Sequence, residues 1–349
     1  MKSESVDSVS SIIRHKLLRI TLYLLFLLIL TECGARSYWA LRGSSFFNCH
    51  RSLHRIFYPE LADIETHTSS GDNESFDILI LGGSVLTQQW SSVEPLLREQ
   101  LATAAKRPVT IYNLAAEAHT TRDSLIKYRH LDGQHFDLIL LYHGINEVRA
   151  NNCPPDMFRS DYDHYSWYRL INTFEQHQAT RRLIFPYTFY YIWTAASQQI
   201  GWSSDLPTGS PPPEWLHFAA DIKTLDSFRE NVTHIVSLAN QRNQLLLLMT
   251  FGCYDPTDIA GRVPPAVLEE TFHNLTRTRW GEPEHVYRAV NAHNKVIKDI
   301  ASRSSGTLFI DQDKHLQKRW RHFKDICHFE QKASEQFVAL VVENVLPHM

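Results

Sequence analysis

The sequence of 349 residues predicts an α/β protein with a parallel five-stranded sheet, preceded by an apolar N-terminal helix. From residue 76 onward, short runs that are apolar throughout alternate with segments of helical periodicity. Such runs are typical of strands that are buried on both faces of a parallel sheet. Their alternation with helices places helices on both faces, which gives a three-layer α/β/α arrangement.

The predicted strands are the continuously apolar runs, and they cover 76–83, 109–115, 136–144, 244–251 and 307–311. The predicted helices have helical periodicity, and they cover 91–105, 121–131, about 221–240, 284–303 and 333–346. One segment breaks the alternation, because 12 of the 42 residues in 161–202 are aromatic. We expect it to form an extra packed helical layer. A cap over a binding site and a membrane-facing surface are the alternatives.

The N-terminal helix is predicted from an uncharged apolar run at 20–30, which follows several basic residues. The 19 residues from Leu17 to Ala35 can span a membrane if Arg19 and Glu32 reach its two interfaces. We expect an uncleaved signal-anchor with the bulk of the chain outside the cytoplasm. Secretion after cleavage at Ala35 and a buried core helix are the alternatives.

The expected division of the chain follows from this anchor and from the start of the α/β pattern. A cytoplasmic tail covers 1–16, the anchor 17–35 and a juxtamembrane segment 36–75. The α/β domain covers 76–349, with an insertion at about 155–215.

Charge and cysteine content limit the possible partners. The formal net charge is −3 and no basic run stands out, so we expect no nucleic-acid binding. The five cysteines are too few for a disulfide scaffold, and no CxxC or C…H zinc-binding spacing appears.

The candidate catalytic residues follow predicted strands or precede the last helix. Ser84 follows two glycines at a strand end, Asn146 follows another strand, and Asp325 and His328 have the spacing DxxH. Such a carboxylate can orient the imidazole toward a nucleophile, and an asparagine amide can donate to an oxyanion. Taken alone, the serine also fits a helix cap or phosphate site, the asparagine an Asx turn, and the DxxH pair a chance occurrence.

In this order along the chain, the motifs resemble those of the SGNH (GDSL-like) hydrolase superfamily over residues 76–346. The matching blocks are ILGGSV (80–85), YNLAAEAHTT (112–121), YHGINE (142–147) and DICH (325–328). The resemblance implies a flavodoxin-like sheet with strand order 2-1-3-4-5 and neither a metal nor an organic cofactor.

The resemblance also implies roles for individual residues. Ser84 would be the nucleophile, His328 its general base and Asp325 the residue that orients the base. The oxyanion would be bound by the backbone N–H groups of Ser84 and Ala118 and by the side chain of Asn146.

Two residues depart from the pattern of the family. Ala118 stands where a glycine is usual, and alanine would be strained if the site required a positive φ. We take a positive φ at this position as a reason to reject Ala118 as an oxyanion donor. Glu147 stands where an aspartate is usual, which changes a supporting hydrogen bond more than the chemistry.

Four polar residues near the expected site are candidates for substrate binding: His119, His143, Glu147 and Arg149. The alternative for each is a loop residue with a structural role.

The resemblance and the anchor together indicate a membrane-anchored, extracytoplasmic serine esterase. Its substrate would be an ester-bearing small molecule, an acetylated glycan or a lipid ester. The N-terminal helix would attach the protein to the membrane. Two alternatives stay open: an O-acyltransferase that modifies a cell-envelope glycan, and a non-catalytic binding protein on the same scaffold.

Overall fold

All five predicted strands form a single parallel sheet in the computed structural model. The strands are β1 (Phe76–Gly82), β2 (Val109–Asn113), β3 (Leu138–Tyr142), β4 (Leu245–Met249) and β5 (Thr307–Ile310). They pair in the order β2-β1-β3-β4-β5. This order confirms the predicted fold class and the strand order 2-1-3-4-5.

The structure describes the chain except for residues 1–3, 63, 65–74, 181–182, 203–210, 260–262 and 317–319. Most of the polar end of the expected juxtamembrane segment, 65–74, therefore lies outside the described residues. The same is true of residues 203–210 in the expected insertion.

All the helices that the sequence predicts are present in the structure. The described α-helices are α1 (Glu4–Ala40), α2 (Cys49–Ser52), α3 (His54–Phe57), α4 (Val93–Ala104), α5 (Thr121–His130), α6 (Ser166–Thr180), α7 (Phe185–Gln199), α8 (Leu225–Gln241), α9 (Pro256–Ile259), α10 (Pro265–Val267), α11 (Asn274–Arg279), α12 (Pro283–Arg303), α13 (Gln312–His315) and α14 (Gln331–Val345). Helix α8 begins at Leu225, slightly later than predicted, and Pro213–Ala220 before it forms a separate 3₁₀ segment. Two further 3₁₀ turns follow strand ends, at Ser84–Leu86 and Asn146–Asn151.

The central strands are buried on both faces, which explains why they are apolar throughout. Every residue of β1 and β3 is buried. Helix α4 packs against α14, whereas α8 packs against both α5 and α12. Ile78 and Ile80 of β1 belong to the core that contains residues of α4 and α14, and the alternate residue Leu79 is also buried. Because alternate residues of a strand point to opposite faces, both faces of the sheet are covered.

The chain divides into two compact units that differ from the expected domains. One unit is Met1–Pro59 with Leu170–Asp205, and the other is Glu60–Arg169 with Leu206–Met349. The expected juxtamembrane stretch is packed structure from its start, since Trp39, Leu53 and Phe57 are buried. The expected boundary between the juxtamembrane segment and the α/β domain lies at residue 76. The second unit, however, already begins at Glu60.

In the first unit, α7 packs against the C-terminal end of α1. Glu32 Oε2 accepts hydrogen bonds from the backbone N–H groups of Ile184 (2.9 Å) and Phe185 (3.1 Å). Trp39 Nε1 donates to Thr188 Oγ1 at 2.8 Å. The aromatic-rich segment thus contributes helices to a packed layer, as expected. Glu32, however, is buried, so it does not extend to a membrane interface as the sequence suggested.

Candidate active site

Three buried side chains form a continuous chain of hydrogen bonds at the carboxyl edge of the sheet. Ser84 Oγ lies 2.8 Å from His328 Nε2, and His328 Nδ1 lies 2.6 Å from Asp325 Oδ2. All three residues are at most 6% exposed. The residues predicted to be nucleophile, base and orienting carboxylate are therefore brought together in the order that the chemistry requires.

The turn after β1 positions the serine because glycine precedes it. A Cβ atom on Gly83 would lie only 2.6 Å from Asn146 Nδ2, so glycine allows the turn after β3 to approach the turn after β1. Ser84 begins a 3₁₀ turn directly after this glycine. The carboxyl ends of these two neighbouring parallel strands therefore bring Ser84 and Asn146 to the same place.

Asp325 is fixed as an ionised orienting group. Its Oδ1 accepts hydrogen bonds from the backbone N–H groups of Cys327 (3.0 Å) and His328 (2.9 Å). Burial alone would raise the pKa of Asp325, but the hydrogen bond and charge of His328 and these backbone donors outweigh it and hold the pKa below its ordinary value. The carboxylate can therefore stabilise an imidazolium that forms on His328.

Asp325, Cys327 and His328 also have ligand atoms close enough to one another to hold a metal ion. These three side chains are nevertheless poorly suited to binding a metal ion, for two reasons. Both ring nitrogens of His328 are already engaged by Ser84 and Asp325. Burial, with a further contribution from the Asp325 charge, raises the pKa of the Cys327 thiol well above its ordinary value, whereas a metal binds the thiolate.

Three groups at the pocket are suited to binding an oxyanion. Asn146 Nδ2 donates to His119 O at 2.8 Å, and Asn146 Oδ1 accepts from Trp280 Nε1 at 3.2 Å, so the orientation of the amide is fixed. The backbone N–H groups of Ser84 and Ala118 have no acceptor among the described residues. Ser84, Ala118 and Asn146 all line the same pocket.

Ala118 adopts the left-handed backbone conformation, with φ of 64°. A positive φ was the condition under which we expected Ala118 to be rejected as a donor. The chain nevertheless holds an alanine in this conformation, and Arg149 Nη2 donates to its carbonyl oxygen at 2.8 Å. Strain does not remove an N–H group, so the criterion was too strict. The donor role of Ala118 stays a prediction.

The pocket has a volume of about 300 Å³, and the nine residues that line it are Ser84, Trp90, Glu117, Ala118, Asn146, Arg149, Arg279, Trp280 and His328. The Trp90 ring stacks on the His328 ring at a centroid distance of 4.4 Å. Sequence reasoning missed Trp90, Glu117, Arg279 and Trp280. Only Glu117 had a signal, since it lies beside Ala118 in the second block.

Of the four candidates for substrate binding, the structure brings only Arg149 to this pocket. His119 Nδ1 lies 2.9 Å from Lys127 Nζ, and burial together with the Lys127 charge lowers the pKa of His119 to about 4. His143 Nε2 lies 2.7 Å from Ser124 Oγ, and burial lowers the pKa of His143 to about 3. Both histidines are therefore neutral and structural at pH 7.

Glu147 is also placed in a structural position. Its side chain is fully buried and accepts a hydrogen bond from the backbone N–H of Thr121, at the start of α5. Burial raises the pKa of Glu147 to about 7, although hydrogen bonds from Thr121 oppose the shift. The glutamate therefore connects the turn after β3 to α5 and does not face the pocket.

Comparison with known proteins gives similarities at the level of structure. No protein-family model and no curated protein matches the chain. Among solved structures, it is similar to a GDSL-like lipase from Bacteroides thetaiotaomicron VPI-5482, with 11% identity, 84% of this chain and 98% of that chain covered, and a TM-score of 0.48. It is also similar to a lipase/acylhydrolase from Enterococcus faecalis, with 13% identity, 78% and 95% coverage, and a TM-score of 0.43. A third is an acetyl xylan esterase, AlAXEase, with 12% identity, 77% and 99% coverage, and a TM-score of 0.43.

Replacing Ala118 with glycine is expected to raise the free energy of unfolding by up to about 1 kcal/mol. Glycine relieves about 1–2 kcal/mol of left-handed strain, and its greater freedom in the unfolded chain offsets part of this. The matched control is Ala116→Gly in the same loop, where φ is not positive, and it should lower stability by about 0.5–1 kcal/mol. Thermal unfolding of the full chain in detergent measures both. A loss of stability in both variants would contradict the strain at Ala118.

Replacing Glu147 with glutamine is expected to change the pH dependence of stability. Because the folded-state pKa of Glu147, about 7, lies above the ordinary glutamate value of 4.5, the folded protein keeps a proton that the unfolded chain releases. Wild-type stability therefore falls as pH rises from about 4.5 to 7, by at most on the order of 3 kcal/mol from this group. Glutamine can still accept from Thr121 and lacks this penalty.

The measurement is denaturant unfolding between pH 4.5 and 8, with Glu99→Gln on the exposed face of α4 as the control. The stability of Glu147→Gln relative to wild type should increase with pH, and that of Glu99→Gln should not. Parallel pH curves for wild type and Glu147→Gln would show that the glutamate is not buried as a neutral acid.

Proposed function

We propose that this chain is a serine esterase of the SGNH type, which cleaves an acyl ester through a covalent acyl-enzyme. The observation that supports this most directly is the chain of hydrogen bonds from Ser84 through His328 to Asp325, at the edge of a pocket. A non-catalytic binding protein would not need all three side chains in this geometry. The complete set therefore favours an enzyme.

In the first half of the reaction, Ser84 Oγ attacks the ester carbonyl carbon while its proton passes to His328 Nε2. Asp325 holds the ring by its Nδ1 and stabilises the imidazolium. The developing oxyanion is bound by the Asn146 amide and the backbone N–H groups of Ser84 and Ala118, each of which can contribute about 3 kcal/mol to the transition state. The alcohol then leaves with the proton from His328.

In the second half, water attacks the acyl carbon while one of its protons passes to His328. The bond from this carbon to Ser84 Oγ then breaks, His328 returns the proton to Oγ, and the free acid leaves. An O-acyltransferase would use the same residues, with a sugar hydroxyl in place of water. The two are separated by their products: a free acid forms in the esterase, and an acylated glycan forms in the transferase.

The full chain in detergent is expected to react with a fluorophosphonate probe at Ser84. His328→Ala should lower the labelling rate by about 100-fold or more, because a positioned base contributes about that much. His234→Ala, at an exposed position of α8, is the control and should react at the wild-type rate. Peptide mass analysis locates the adduct. A folded sample that is not labelled at Ser84, or one whose labelling does not depend on His328, would contradict the mechanism.

We also infer that α1 is an uncleaved membrane anchor and that the α/β unit lies outside the cytoplasm. Among the described residues, α1 is the only helix long and apolar enough to span a membrane, over Arg14–Ala40. Its large apolar side chains between Leu17 and Leu30 are exposed. Basic residues lie before this run, and they favour a cytoplasmic N-terminus.

The packing at the other end of α1 supports retention of the anchor. Cleavage after Ala35 would remove Glu32, whose carboxylate accepts from two backbone N–H groups at the start of α7. Burying these groups without an acceptor would cost about 1–3 kcal/mol each. The exposed face of α7, with Phe189, Ile192 and Trp193, is suited to the membrane interface beside the anchor.

A chain with an N-terminal epitope tag is expected to stay in the membrane fraction after an alkaline carbonate wash and to keep its tag. We expect this because the exposed apolar side chains of α1 are more stable in the hydrocarbon core of a membrane than in water. Leu24→Arg, which places a charge within the run, should lower the membrane-bound fraction. Immunoblotting of the pellet and supernatant measures both. Loss of the tag with recovery of soluble protein would identify a cleaved signal.

A further inference from the structure

Arg279 carries a charge on the pocket wall that the protein does not neutralise locally. Its guanidinium Cζ lies 4.9 Å from the centroid of the Trp90 ring and 5.9 Å from that of Trp280. Within the part of the chain that the structure describes, it has no carboxylate partner and donates no hydrogen bond. Its half-buried position limits how much water can replace those partners.

The neighbouring arginine on the same helix shows the contrast. Arg277 Nε donates to Glu282 Oε2 at 2.8 Å, and its Nη1 contacts Glu269. Arg277 does not line the pocket, whereas Arg279 does. Helix α11 therefore presents one arginine that is neutralised by the protein and one whose donors are available to a ligand.

The other charged residues of the pocket leave an excess of positive charge. Arg149 also lines the pocket, and it donates a hydrogen bond to Ala118 O. Glu117 is the only carboxylate among the residues that line this pocket in the described chain, and it accepts a hydrogen bond from Trp90 Nε1. Two guanidinium groups thus face one carboxylate, which favours an anionic ligand.

The aromatic rings connect this charge to the reacting groups. Trp90 contacts the Arg279 guanidinium and also stacks on His328, with centroids 4.4 Å apart and an interplanar angle of 24°. Stacking leaves the edge of a guanidinium, with its N–H groups, able to bind a planar oxyanion through two hydrogen bonds. The positive charge therefore lies one aromatic ring away from the catalytic imidazole.

We propose that Arg279 binds an anionic group of the substrate, so that the ester cleaved at Ser84 belongs to an acidic molecule. The inference rests on the proposed esterase function and names the class of its substrate. The anion is a carboxylate or an equivalent oxyanion, on either the acyl or the alcohol side of the ester. Arg149 contributes charge to the same subsite, and Glu117 limits its strength.

The first experiment measures binding without turnover. Calorimetric titration of full-length Ser84→Ala in detergent compares two matched pairs of esters. On the acyl side, the pair is para-nitrophenyl hydrogen succinate and para-nitrophenyl pentanoate. On the alcohol side, the pair is para-acetoxybenzoate and para-acetoxybenzamide. The anionic member of at least one pair should bind more tightly, and the pair that discriminates identifies the side that carries the charge.

Arg279→Gln in the Ser84→Ala background should weaken binding of that anionic ester by about tenfold or more and leave the neutral ester within about twofold, as loss of a charge-assisted hydrogen bond predicts. Arg277→Gln is the matched control and should change neither. Glu117→Gln should have the opposite sign and strengthen anion binding. Equal affinity for both members of both pairs, or an equal loss for both esters in Arg279→Gln, would overturn the proposal.

Kinetics of the otherwise wild-type chain separate this inference from the proposed function. Arg279→Gln should raise KM for the anionic ester by a larger factor than KM for the neutral ester, whereas Arg277→Gln, outside the pocket, should leave kcat and KM for both esters unchanged. If the enzyme hydrolyses both members of each pair equally and Arg279→Gln does not alter their ratio, the esterase stands and the anion subsite is refuted. If no ester is hydrolysed but the Ser84→Ala binding difference depends on Arg279, the subsite stands and the esterase is refuted.

Discussion

The hydrogen bond between Ser84 and His328 joins positions that are 244 residues apart, and the rest of the site depends on it. It can form only if the end of β1 and the turn before α14 meet at one edge of the sheet. The parallel arrangement provides this, because every strand ends at the same edge. Gly83 provides the remaining condition, since a side chain there would displace Asn146. The site therefore depends on the parallel direction of the strands and on glycine at position 83.

The strained loop that contains Ala118 is held in place by hydrogen bonds from two segments, the turn after β3 and helix α5. Ala118 has a positive φ, and the carbonyl groups of Ala118 and His119 accept hydrogen bonds from Arg149 and Asn146 respectively. The buried Lys127 ammonium donates to the His119 ring and pairs with Glu60 at 2.9 Å. Each contact offsets part of the strain, which is of the order of 1–2 kcal/mol. The neutral His119 accepts from Lys127 and so serves the loop, whereas the sequence suggested a role with substrate.

The sequence was sufficient to predict features that local patterns determine. Continuous apolar runs predicted the strands, and the blocks around Ser84, Asn146 and His328 predicted which side chains meet at the carboxyl edge of the sheet. The residues that form the pocket wall could not be predicted from local patterns. Trp90 and Arg279 lie outside the predicted strands and helices, and their position depends on packing between distant segments. The division of the chain was missed for a similar reason. Residues 36–59 precede the α/β pattern and were assigned to a juxtamembrane segment, yet they belong to a unit whose other part begins at Leu170.

Glu32 shows how a single carboxylate can change the interpretation of a whole segment. At the end of an apolar run, it was expected to extend toward water, where an acidic side chain costs little. It is instead buried, paired with Arg36 Nε at 2.7 Å and bonded to the first N–H groups of α7. A helix N-terminus favours a negative charge, so this carboxylate stabilises α7 as well as connecting it to α1. The C-terminal end of α1 and helix α7 therefore fold as partners, and this packing is the structural basis of the proposal that α1 is retained as an anchor.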